Sequence, residues 1–233
     1  MTMATADNLS ALIGDLSADL RPVRPLWKPL LRAAVWSVGV AALAVYLYAT
    51  GGRLRLGVAE TPDAFVVIGI AASVVTAVLA AFAAFEVSLP DRSAAWALLP
   101  LPALAVWVAA TGLGCLANLG SNDPGMFGAT LKEAQQCLVF IAKWSLPVSL
   151  ALILMLRRAR PLRPILVAVL GGLAAAGAGA ALLIMVHVHE STALDLLLHF
   201  AAVGLVVALN AAVGGALIGA GSSSRPTRRN NEV

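Results

Sequence analysis

The chain has 233 residues, 60% of them hydrophobic and 12% charged, with a formal charge of +4 and a mean hydropathy of +0.89. Soluble globular proteins carry roughly 25% charged residues. That excludes an ordinary cytosolic enzyme, a disordered regulator and a nucleic-acid-binding domain.

Residues 1–32 come first, and they stay in water. Asp7, Asp15 and Asp19 precede the first basic residue, Arg21, whereas a signal peptide needs a positive start followed at once by an apolar core. Leu9, Leu12, Ile13, Leu16 and Leu20 recur at helical spacing, which predicts an amphipathic helix over Asp7–Leu20 with Asp7 as its N-cap. Asp15 and Asp19 sit four apart on its polar side, and Pro22 and Pro25 end it. A helix this short is marginal alone. It needs its own bundle, a membrane surface or a partner, and its acidic polar side favours a partner protein carrying positive charge over a membrane surface.

Six apolar runs follow, each long enough to cross a hydrocarbon core of about 30 Å: 33–49, 65–85, 94–116, 134–156, 165–186 and 194–220. They lack the alternation of an outer-membrane barrel. The expected fold is therefore all-α: a polytopic six-helix membrane bundle over residues 33–220, a short cytoplasmic N-terminal helix within 1–32, and a cytoplasmic tail at 221–233. Twelve of the sixteen Lys and Arg fall on the side of the two termini; Arg53, Arg55 and Lys132 lie opposite, and Lys143 lies inside span four. Both termini should face the cytoplasm. The basic residues thus set topology and do not point to direct nucleic-acid binding; the expected contacts are membrane lipid and protein.

Small residues mark helix contacts in lipid. Span five carries Gly171, Gly172, Gly177 and Gly179; span six carries Gly204, Ala208 and Ala212 four apart, then Gly215 and Gly219. These read as packing stripes. Pro147 should bend span four.

On this topology both cysteines and all three histidines gather at the outer face. Cys115 ends span three, Cys137 starts span four, His187 and His189 end span five beside Glu190, and Asp195 and His199 open span six. Thiolate and imidazole suit soft metals, and two thiols in an oxidising compartment can pair. The same residues are also ordinary packing and boundary residues. Lys143, roughly 9 Å deeper than Cys137, either reaches outward or pairs with Asp195.

Four stretches resemble one family in order and spacing: LSALIGDLSADLRPVRPLWKPLLRAAVW (9–36), CLVFI (137–141), LRRARPLRP (156–164) and the turn holding His187. The chain resembles the NrsF family of bacterial inner-membrane anti-sigma factors. The resemblance implies a non-enzymatic protein without a cofactor, whose N-terminal segment sequesters an extracytoplasmic-function sigma factor through Leu9, Leu12, Ile13, Asp15, Leu16, Asp19 and Leu20. It also implies periplasmic sensing of metal or oxidative stress. Cys137 matches the family cysteine. His187 matches a histidine that the family commonly follows with a second cysteine; here that position is Val188, leaving Cys115, His187 and His189 as the other candidate sensing residues. The alternative reading is a small transporter or channel, which requires polar groups near the bilayer midplane; here the polar residues sit at span ends, Lys143 excepted. A membrane redox enzyme or haem protein using His187 and His199 lacks facing ligands at depth.

Overall fold

The computed structural model describes residues 3–18, 25–50, 64–119, 131–184 and 193–219, without the side chains of 3–8, 118–119, 131–138, 142, 184, 193–196 and 219. All regular structure among them is helical: α1 (Met3–Ala18), α2 (Pro29–Thr50), α3 (Ala64–Val87), α4 (Leu101–Leu119), α5 (Leu131–Arg157), α6 (Pro164–Ile184), α7 (Ala193–Leu209) and α8 (Gly215–Gly219). Six stretches are long and apolar enough to cross a membrane, as the hydropathy pattern predicts.

Prolines set two of the starts. Pro29 and Pro164 are the first residues of α2 and α6, a position where the missing N–H costs nothing and the fixed φ favours a helix. The carbonyls of Lys28 and Arg163 then accept from Arg32 and Val167, each at 3.1 Å. Span three begins as a 3-10 turn, Ala94–Leu98, capped by the Ser93 hydroxyl accepting from Ala95 N–H at 3.2 Å. Pro100 separates that turn from α4, and Pro102 sits in the first turn of α4. Pro147 is accommodated inside α5.

The centre of the bundle is α6. It packs along α3 and also against α5 and α7, while α3 carries α4 and α2 on its other sides. Ala80, Ala81, Ala83 and Ala84 of α3 and Ala174, Ala175 and Ala178 of α6 share the core with Phe85, Leu152 and Leu156. Lipid tails are as apolar as leucine, so close backbone approach and dispersion hold such helices together. A Cβ on Gly177 would lie 3.0 Å from the Ser73 carbonyl oxygen and 3.2 Å from Ala77 Cβ. The glycines of span five are thus contact residues, as expected.

Span six differs from its expectation. Gly204, Ala208 and Ala212 are exposed, and a Cβ on Gly204 meets nothing within 4 Å. The buried face runs instead through Ala202, Asn210, Gly214 and Ile218, with Val206 half-buried between the first two. Both registers repeat every four residues, and only the neighbours decide which one turns inward. Between α7 and α8 the helix widens into a π turn, Asn210–Gly214, where the Gly215 N–H reaches the Asn210 carbonyl.

Candidate functional site

The N-terminal helix starts at Met3 rather than Asp7. Asp7 is therefore inside the helix and not its cap, because Met and Ala before it are strong helix formers. Residues Asp19 and Leu20 lie outside the described residues. Along α1, Leu9, Leu12, Ile13 and Leu16 are 58%, 54%, 58% and 63% exposed, and Asp15 is exposed as well. At sixteen residues, α1 is shorter than the ~20 residues of a bilayer crossing. An exposed apolar stripe on a helix too short to cross the membrane is a candidate docking face.

The joint between this segment and the bundle rests on two side chains of α2. Arg32 is buried, its Nη2 donating to the Met155 carbonyl at 2.7 Å and its guanidinium carbon 4.4 Å from the centre of the Phe85 ring. Met155 is in the last turn of α5, where carbonyls lack helical partners and the helix dipole favours a cation. One turn on, Trp36 Nε1 donates to the Val148 carbonyl at 3.2 Å. Helix α2 is thereby pinned to the backbone of α5. At the same end Glu86 is buried and lies 3.2 Å from Arg92 Nε, a contact of opposite charges without hydrogen-bond alignment that closes the turn after α3.

Polar residues also occur inside the spans, contrary to the expectation that they sit at the ends. Ser149 Oγ donates to Asn210 Oδ1 across α5 and the π turn, and Asn210 Nδ2 donates to the Val206 carbonyl at 2.8 Å. A Cβ on Gly172 would lie 2.9 Å from Asn210 Cβ, so glycine there lets α6 and the π turn meet. Ser73 and Thr76 bond back to their own helix, and the Ser145 hydroxyl is buried without a partner among the described residues. An asparagine within an apolar run was the available signal for this pair. A groove lies elsewhere, along α2 and α5, and is lined by apolar residues.

At the opposite end, Cys115 is a buried free thiol on α4, which packs mainly against α3 and α7, whereas α5 packs mainly against α6 and α7. His199 is half-buried, edge-on to Trp107 at 5.9 Å. Lys143 is exposed and 5.3 Å from the Trp144 ring centre; its expected partner Asp195, like Cys137, has its side chain outside the described residues, and His187, His189 and Glu190 lie outside them altogether. Among the described residues no group of three His, Cys, Asp or Glu is arranged to hold a metal.

No curated protein and no solved structure matches the chain. The family model described as NrsF, negative regulator of sigma F, matches residues 16–219. That match begins within the exposed stripe at Leu16, crosses the Arg32 joint and takes in all six apolar spans. The chain belongs to the NrsF family of negative regulators of sigma F.

Proposed function

We propose that this membrane protein sequesters an extracytoplasmic-function sigma factor by inserting the α1 stripe into a groove of that factor, holding it at the bacterial inner membrane with both chain termini in the cytoplasm. The observation that carries the reading is the uncovered row Leu9, Leu12, Ile13 and Leu16, on a chain whose family regulates a sigma factor negatively. A sigma factor is basic where it meets promoter phosphate. Asp15 and Asp19 flank the stripe and compete for that surface.

Release follows when a thiophilic metal or an oxidant reaches Cys137 on the periplasmic face, with Cys115, His187 and His189 as candidate co-ligands or partners. Helix α5 supports a route inward: it carries Cys137 near its outer end and presents the Met155 carbonyl to Arg32 at the other. A shift of α5 therefore reaches the segment that leads to α1. Moving a two-state bundle from 1:99 to 99:1 takes about 5.5 kcal/mol, whereas a disulfide between Cys115 and Cys137, which have 21 residues between them, contributes about 3 kcal/mol. Metal ligation thus suits a full switch and a disulfide a partial one.

The test is a reporter driven by the cognate sigma factor in cells expressing the full chain, exposed to cadmium, chromate or a thiol oxidant. Wild type should be silent until exposure, and Cys137→Ser should stay silent throughout. A Cys137→Ser variant that responds like wild type overturns the sensing step and leaves the sequestration step standing.

A further inference from the structure

Beside the Arg32 joint, α2 and α5 diverge and leave a lateral groove of about 330 Å³ walled by Val35, Gly39 and Leu43 on one side and Pro147, Ala151 and Met155 on the other. Both walls belong to membrane-crossing stretches, Pro29–Thr50 and Val139–Arg157. Within the hydrocarbon core, acyl chains are the solvent that fills such a space.

One end of the groove is strongly basic. Met155 lines it, Arg32 bonds to that residue's carbonyl, and Arg157 and Arg158 follow two and three residues later. Lys28 precedes Arg32 by one turn, its carbonyl accepting from Arg32 N–H. Lys28, Arg157 and Arg158 are exposed, and Arg158 is near enough for its charge to act on Arg32. Among the described residues the acidic side chains in ion pairs are Glu86 and Asp91, and both pair with Arg92. The buried Arg32 Nη1 has no hydrogen-bond partner among the described residues. Four cations thus meet at the membrane edge, and among the described residues no carboxylate pairs with them.

We infer that this groove is a binding site for one anionic phospholipid, with an acyl chain lying between α2 and α5 and the headgroup phosphate held by Lys28, Arg157 and Arg158. A second copy of the chain, packed side by side in the same orientation, brings two such cationic ends together, so charge favours the lipid. The site covers the joint between the N-terminal segment and the bundle. It depends on the membrane placement of the spans and not on any sigma factor.

The experiment is native mass spectrometry of the full-length protein released from micelles holding equal dioleoyl phosphatidylglycerol and dioleoyl phosphatidylcholine. The wild-type chain should retain one phosphatidylglycerol, preferred over phosphatidylcholine by about tenfold. Arg157→Gln with Arg158→Gln should erase the preference. Gly39→Leu, whose Cβ meets nothing within 4 Å, should fill the groove and abolish retention of either lipid; Ala151→Leu from the opposite wall should do the same. Equal retention of the two lipids by wild type overturns the proposal. So does undiminished phosphatidylglycerol on both groove-filling variants, which makes the cations a diffuse surface attraction, or a lipid-free dimer as the retained species.

Discussion

Helices α6 and α1 are built largely from small and aliphatic residues, and they meet opposite fates. In α6 the most apolar window is 72% buried, and its glycines touch α3, α5 and the π turn. In α1 every residue whose side chain is described, 9–18, is exposed. Helix α6 is the more apolar of the two and lies among packed neighbours, whereas the described side chains of α1 are uncovered. A Cβ on α6 would meet another backbone; Gly14 of α1 would carry one into open space. One helix uses its apolar surface in its own fold, and the other leaves it uncovered.

The comparison is broken most severely at Gly172. A Cβ there meets Val207 Cα and Asn210 Cβ, each at 2.9 Å, and the first cannot move without its helix. Gly172→Val should destabilise the bundle by about 3 kcal/mol, seen as earlier unfolding in mixed micelles, while Gly204→Val on the exposed side of α7 should leave the midpoint unchanged. Next in size is Leu16→Ala. It should weaken sigma-factor binding by about 2 kcal/mol, read by titration against the full-length protein, without moving that unfolding midpoint. A change of side-chain size thus reports stability on α6 and affinity on α1.

Arg32 joins the two regions. Arg32→Met keeps an apolar chain but loses the bond to the Met155 carbonyl and the contact with Phe85, at about 1.5 kcal/mol. The unfolding midpoint should drop modestly, and a reporter of sigma release should respond less to periplasmic metal because α2 no longer follows α5. The smallest effect is expected at Asn210→Leu, where losing the Ser149 bond should cost about 0.6 kcal/mol, measured against Ser149→Ala in a double-mutant cycle.

The spans were legible in the sequence because a run of apolar residues has one outcome in lipid, and their ends moved by only a few residues. The α1 stripe was legible for a similar reason: Leu9, Leu12, Ile13 and Leu16 recur at 3.6-residue spacing. Its start was not, since a good cap such as Asp7 loses to the helix propensity of the residues before it. What stayed hidden is pairwise. Arg32 reads as one more positive topology residue, and only the position of the α5 terminus turns it into a clamp. Gly204, Ala208 and Ala212 look like a contact stripe as much as the glycines of α6 do, and the register that packs is Ala202, Asn210, Gly214 and Ile218. Spacing gives a face; it does not say what stands opposite.

In the proposed function α1 is the sigma-binding element and the bundle its membrane anchor. The most direct measurement is co-sedimentation of the sigma factor with liposomes holding either the wild-type full-length protein or a variant with Leu9, Leu12, Ile13 and Leu16 each changed to Asp. Wild-type liposomes should carry the sigma factor down, and the variant, with an unchanged unfolding midpoint, should leave it in the supernatant. Equal sedimentation with the two sets of liposomes would contradict the account.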